Sequence, residues 1–280
     1  MIEPLPDILI EPIVRAALAE DLGRAGDITS AACIEPGARL AARFANRRTG
    51  VVAGLACARL ALAALDPDAA FETVVRDGDF AQPGPLARVE ANAQALLSAE
   101  RVALNLLGRL SGVATLTRAY VDAVADTGAR ITDTRKTTPG LRALEKYAVR
   151  CGGGVNHRFG LDDAILIKDN HVAAAGGVGP AIRRARAAAG HLVKVEAEVD
   201  SLAQLDEALA EGPDVIMLDN FSLADLAAAV ATAKGRVTLE ASGGVTLETV
   251  RAIAGTGVDV ISVGALTHSA PVLDIGLDAD

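Results

Sequence analysis

The 280-residue chain is poor in aromatics, at 2% of residues, and has no Trp. It has three cysteines, Cys33, Cys57 and Cys151, none at metal-ligand spacing, and the odd count argues against a disulfide framework. No apolar run reaches membrane-spanning length; the longest candidate, Gly50 to Ala58, stops at Arg59. Glu3 and Asp7 interrupt any basic-then-apolar leader pattern, so a soluble, cytoplasmic protein is expected. A net charge of -9 with so few aromatics argues against a general nucleic-acid surface.

What the chain does have is apolar residues, 51% of the total, and enough length for one large domain or two modest ones. Residues 4 to 22 carry an apolar stripe at helical spacing through Ile13, Val14, Ala17 and Leu18. Residues 23 to 30 read as a loop in which Thr29 or Ser30 caps the next element. Short strands are expected at 40–45, 50–54, 71–75 and 86–91, with a helix at 56–65 between them. Two helices follow, at 93–110 and 112–127. From 129 onward strands and helices alternate, with strands at 129–132, 164–167, 192–199, 214–218, 236–241 and 258–263. Helices are expected between them at 140–150, 179–189, 201–211, 222–233 and 246–255. Such alternation implies a parallel sheet covered by helices.

The strand ends carry the polar groups. In order they deliver Asp133, Arg135 and Lys136, then Lys168, Asp169 and Asn170, then Glu196 and Glu198. Asp219 and Asn220 follow, then Glu240, Ser242, Gly243 and Gly244, and finally Gly264. Polar residues at every carboxyl end mark a β/α barrel, whose active site is built there. The fold expected is therefore α/β: a barrel of six or seven strands, preceded by an α+β block of about 100 residues.

In an acidic chain, a knot of Arg135, Lys136, His157, Arg158 and Lys168 around apolar strands calls for an anionic ligand. Lys168 follows Ala164-Ile165-Leu166-Ile167, which reads as a buried strand. Glu198 and Asp219, on neighbouring strands, are placed to hold Mg2+ or sugar hydroxyls. Ser242-Gly243-Gly244 before a helix starting near Thr246, and Gly264 after the last strand, offer backbone N–H groups to phosphate. The plainer readings are local: Asp219-Asn220 as a helix cap, one of Glu196 and Glu198 as a partner of Lys194, His157 as a hydrogen-bonded loop residue, Gly152 to Gly154 as a linker. No Ser-His-Asp or Cys-His arrangement stands out.

The runs T-R-K-T-T-P-G-L-R (134–142), G-G-G-V-N-H-R (152–158) and L-I-K-D-N-H (166–171) closely resemble the quinolinate phosphoribosyltransferase family. So do A-E-R-V-A-L-N-L-L-G-R-L-S-G (99–112), E-A-E-V-D-S-L (196–202), M-L-D-N-F (217–221), E-A-S-G-G-V (240–245) and D-V-I-S-V-G-A-L-T-H-S-A-P (259–271). The segment E-D-L-G-R-A-G-D-I-T-S (20–30) adds to them, so the resemblance covers essentially the whole chain. It implies transfer of a phosphoribosyl group from phosphoribosyl pyrophosphate to quinolinate with decarboxylation. The products would be nicotinate mononucleotide, CO2 and pyrophosphate, in NAD biosynthesis with Mg2+. It further implies an open α/β barrel of six or seven strands at 113–267, with an N-terminal α/β sandwich domain at 1–112 that segment 268–280 is a candidate to join. A homodimer with shared active sites, or a larger assembly built from it, is implied as well. Carried across by motif, Arg101, Arg135, Lys136, His157, Arg158 and Lys168 would bind quinolinate, Arg101 reaching in from the partner. Glu198, Asp219, Ser242, Gly243, Gly244, Gly264 and His268 would bind phosphoribosyl pyrophosphate. Lys136, Lys168, Glu198 and Asp219 would be the catalytic set, with Glu198 and Asp219 also serving the metal. Two rivals share the pocket: a molybdenum-transport-associated paralogue of the same fold, and a non-catalytic anion-binding module.

Overall fold

The computed structural model describes residues 2–280, which form two compact units. The first comprises residues 2–118, Thr137–Gly153 and Leu266–Asp280; the second comprises Ala119–Lys136 and Gly154–Ala265.

In the first unit an antiparallel sheet runs in the order Ile275–Ala279, Arg39–Asn46, Gly84–Asn92 and Ala70–Thr73. The alternation of buried Ala42 and Phe44 with exposed Ala41 and Arg43 gives the Arg39–Asn46 strand one apolar face. Phe44 meets Phe71 there at 6.0 Å between ring centroids. Helix Asp7–Leu22 buries Ile10, Val14 and Leu18, four residues apart on one face. Residues 28–33, expected to be partly loop, form a short helix, and its cap is Asp27 rather than Thr29 or Ser30. The Asp27 carboxylate accepts from the N–H groups of Thr29 and Ser30. Helix Leu55–Ala63 starts at Gly54, which has no side chain to cap it. Asp77 does so instead, accepting from Gly54 N at 3.0 Å and Leu55 N at 3.2 Å, with Tyr147 Oη donating at 2.9 Å.

The two helices expected at 93–110 and 112–127 are one, Ala93–Ala123, 31 residues long. Gly112 does not break it. A Cβ at Gly112 would stand 1.9 Å from the Pro271 carbonyl oxygen, so this glycine admits the C-terminal segment against the helix. Gly108 does the same for Val272 and Leu273, and its carbonyl accepts from Leu273 N at 3.0 Å. Gly112→Ala should therefore destabilise the protein despite Ala's better helix propensity, worth about 1 kcal/mol. Overpacking against backbone costs about 2–3 kcal/mol more, and a fall in Tm of about 5–10 °C is expected in a thermal melt. Gly152, too, is no linker. It ends helix Arg142–Cys151, and a Cβ there would meet Ala114 O at 2.4 Å.

The second unit is a six-stranded parallel sheet in the order Arg130–Thr132, Val260–Ser262, Thr238–Ser242, Val215–Asp219, Val195–Val199, Ile165–Ile167. The first strand in the chain lies beside the last, and the others follow in succession. That is the cyclic order of a barrel left open between its first and second strands. At the open edge Val155 bridges to Thr132, and its N–H donates to Ile131 O at 2.9 Å. Val195, Ala197, Val199, Ile216, Leu218, Leu239, Ala241 and Ile261 are buried on one side of the strands. The alternate positions hold Glu196, Glu198, Asp219, Glu240, Ser242 and Ser262, so the opposite face is polar. A helix absent from the sequence reading, Asp169–Ala175, follows the second strand. The helix expected at 246–255 shortens to Val250–Ala254, after a turn closed by Thr246 and Thr249. Among the described residues no helix is long and apolar enough to cross a membrane.

Candidate active site

The barrel register decides which carboxylates meet. Glu198 and Glu240 both pair with Met217 and share a row across three strands. One row nearer the carboxyl ends, Ser242 pairs with Asp219. Glu196 lies two residues before Glu198 on the same face.

Beneath the cationic loops sits a buried acidic floor. Asp133, 0% exposed, accepts from His157 N at 2.9 Å and from Asn156 Nδ2 at 2.6 Å. His157 Nδ1 accepts from Arg158 N at 2.7 Å, which leaves the ring proton on Nε2. Nε2 lies 3.1 Å from Glu196 Oε2 and 3.7 Å from Glu240 Oε1. Burial, and then the Glu196 charge, push the Glu240 carboxyl up to about 7. His157, Glu196 and Glu240 are the one group of three possible metal ligands among the described residues. The tautomer argues against that use, because Nε2 carries a proton where a metal would need a lone pair.

Arg158 and Arg135 stand above this floor, each with a buried Nε that has no hydrogen-bond partner. Arg158 Nη1 donates to Ala164 O at 3.0 Å. Burial, and next the Arg135 charge, lower the Arg158 pKa, while Glu196 and Asp163 oppose the shift. Two guanidinium groups that repel one another in a half-buried setting form a receptor for an anion carrying more than one charge. The loop after Arg158 is closed by Asp163, which accepts from Phe159 N and Gly160 N at 2.5 and 2.8 Å.

Lys168, directly after the Ile165–Ile167 strand, meets an anion. Its side chain is 49% exposed, and Nζ reaches Glu198 Oε2 at 3.2 Å. It precedes helix Asp169–Ala175, and its N–H donates to His171 Nδ1 at 2.9 Å. Lys136 is exposed beside Arg135, its N–H donating to Thr134 Oγ1. Asp219 is no helix cap: helix Leu223–Ala233 is capped by Ser222. Gly243 and Gly244 have φ of 91° and 60°, which suits glycine, but no helix starts directly behind them. Gly264 is half-buried after the Val260–Ser262 strand. The barrel unit thus collects Arg135, Lys136, His157, Arg158, Lys168, Glu198, Asp219, Ser242, Gly243, Gly244 and Gly264. Arg101 and His268 belong to the first unit, where both are exposed, with His268 Nδ1 2.6 Å from Ser269 Oγ. The sequence reading misses the supporting roles of Asp133, Asn156, Glu196 and Glu240. Strand parity already puts Glu196 on the face of Glu198, the one signal available.

A barrel open at one seam, with paired guanidinium groups over buried acids and carboxylates beside glycine turns, defines an enzyme that handles small polyanions. Comparison with known proteins makes the class specific. Residues 27–111 and 113–278 match the quinolinate phosphoribosyl transferase N-terminal and C-terminal domains. The nicotinate-nucleotide pyrophosphorylase [carboxylating] of Mycobacterium leprae (strain TN) is 52% identical over 271 residues, 95% of each chain. A protein of Bacillus subtilis (strain 168), named as a probable enzyme of the same kind, is 47% identical over 92% of this chain and 89% of its own. The solved nicotinate-nucleotide pyrophosphorylase of Francisella tularensis superposes with a TM-score of 0.95 at 38% identity, covering 100% of this chain and 99% of the other. The chain belongs to the quinolinate phosphoribosyl transferase family, and it is a pentosyl-transferring enzyme.

Proposed function

We propose that this chain transfers the phosphoribosyl group of phosphoribosyl pyrophosphate to the ring nitrogen of quinolinate, with loss of CO2, in de novo NAD synthesis. The observation that carries this reading is the pair of buried, unpartnered guanidinium Nε groups on Arg135 and Arg158. Quinolinate carries two adjacent carboxylates, which two forks and a lysine complement in shape and charge. Lys136 and Lys168 add point charges. His157, its ring nitrogens engaged by Arg158 N–H and Glu196, holds the loop that presents Arg158.

Ribosyl transfer passes through an oxocarbenium-like state, so a carboxylate beside the ribose stabilises the developing positive charge. Glu198 and Asp219 are assigned that place, with Ser242, Gly243, Gly244, Gly264 and His268 on the phosphates. Mg2+ fits the donor set: Glu198 and Asp219 offer hard carboxylate oxygens from neighbouring strands and would hold the ion beside the diphosphate. When bound, the ion supplies charge stabilisation to the leaving pyrophosphate. Once the ring nitrogen is alkylated, the ring accepts the electron pair of the breaking C–C bond, and a proton replaces CO2 at that carbon. The protein's part is positioning, worth on the order of 7–11 kcal/mol at best.

The test is direct: purified protein with quinolinate, phosphoribosyl pyrophosphate and Mg2+ should form nicotinate mononucleotide and pyrophosphate. Absence of both products counts against the reading, and quinolinate binding without turnover would select the anion-binding module. We assign the protein to the cytoplasm and to a homodimer in which Arg101 completes the partner's site. Mixing inactive Arg101→Ala with inactive Lys136→Ala subunits should then restore up to roughly a quarter of the activity, because only one site per mixed dimer is whole. No recovery in mixed dimers verified by mass removes Arg101 from the site.

A further inference from the structure

Asn220 and Lys234 are the only non-glycine residues with positive φ among the described residues, at 56° and 47°. Lys234 has an ordinary reason, since it ends helix Leu223–Ala233. Asn220 ends no helix. It follows the Val215–Asp219 strand and continues the ladder one residue further, its N–H donating to Ser242 O at 2.9 Å. Its side-chain Nδ2 donates to Asp219 Oδ2 at 2.7 Å. On the other side it fills the notch at Gly243, where a Cβ would stand 2.1 Å from Asn220 Oδ1 and 2.6 Å from Cγ.

We infer that Asn220 is a positioning residue for the phosphoribosyl half of the site. Its amide fixes the rotation of the Asp219 carboxylate and locks that carboxylate to the Gly243 turn. The inference rests on the reading that Asp219 and Gly243 meet phosphoribosyl pyrophosphate. Glycine would adopt this backbone conformation without steric cost. A side chain kept in a sparsely allowed conformation, and bonded to a proposed ligand group, is doing something glycine would not. Its three contacts tie the ends of two neighbouring strands into one rigid corner: Asp219 from one strand, Ser242 and Gly243 from the next. Loss of such an outer partner is felt by the group it orients, typically as tenfold to hundredfold in affinity or activity.

Asn220→Gly separates this role from a structural one, because it relieves the backbone while deleting the amide. The apo Tm should be unchanged or raised. Calorimetric affinity for phosphoribosyl pyrophosphate with Mg2+, without quinolinate, should fall roughly tenfold or more. The KM for the same substrate should rise more than kcat falls. Asn220→Asp keeps the size and tolerance of this conformation but sets an oxygen against the Asp219 carboxylate, and should bind more weakly still. Unchanged affinity in Asn220→Gly overturns the inference, as does a lost affinity accompanied by a collapsed Tm. Asp219→Asn in the same calorimetry tells the two claims apart. If it weakens binding while Asn220→Gly does not, the inference alone falls; if it binds like the parent, the reading of Asp219 falls and takes the inference with it.

Discussion

Replacing Arg135 by Ala should lower quinolinate affinity by about two to three orders of magnitude while leaving the apo protein as stable as before, or more so. Both halves follow from one piece of geometry. Arg135 and Arg158 each bury an Nε without a partner, and the Arg135 charge depresses the Arg158 pKa. Without ligand the pair repel, so deleting one guanidinium removes strain. With a diacid between them, each fork makes charge-assisted bonds, and losing one costs about 2–5 kcal/mol, which sets the expected loss of affinity. Arg135→Lys should rescue little, because an ammonium cannot reproduce the fork. Calorimetry with quinolinate reads the binding, and a thermal shift with and without quinolinate reads the stability. An unchanged dissociation constant removes Arg135 from the pocket; a collapsed apo Tm shows it to be a structural group.

The barrel is legible because its strands are short apolar runs with polar residues at one end only, a pattern that parallel packing under helices imposes. The breaks in that pattern have local causes. Gly112 signals a stop in sequence, yet it is there for the approach of the Pro271 carbonyl, a contact 159 residues away that no local pattern contains. The Ile275–Ala279 strand is not fully buried anywhere along its length, so no alternation marks it. It is held by pairing with Arg39–Asn46 and by ion pairs of Arg47 with Asp278 and Arg43 with Asp280.

The cationic rim is equally legible, since a cation set directly after an apolar strand is costly to keep unless an anion meets it. What the chain order conceals is depth. Glu196 and Glu198 share a strand face, and either reads as a partner of Lys194, but Lys194 is exposed while Glu196 is buried beside His157. Which carboxylate lies under which loop is set by the parallel register across 44 residues from Glu196 to Glu240. Lys168 shows the local rule at work: the strand ends at Ile167, and the lysine side chain turns to solvent and to an anion, Glu198.

The floor under the rim should be visible in the pH dependence of stability. Glu240 is buried among Glu196, Asp133, Ser262 and His157, and its carboxyl is raised to about 7, first by burial and then by the Glu196 charge. A carboxyl raised in the folded state favours folding while it is protonated. That advantage is complete below the unfolded value, near 4.5, and is lost as pH climbs through about 7. Above that point the folded protein holds a strained charge that the unfolded chain does not. Glu240→Gln mimics the protonated form at every pH. It should melt like the parent at pH 5 and be more stable at pH 8, by on the order of 2–3 kcal/mol or about 5–10 °C in Tm. The His157 ring still donates to Glu196 in this variant, so quinolinate affinity at pH 8 should change far less than in Arg135→Ala. Parallel melting curves for parent and variant from pH 5 to pH 8 would mean that Glu240 in the folded protein does not titrate apart from its unfolded value in that range, and would remove it as the source of the pH dependence.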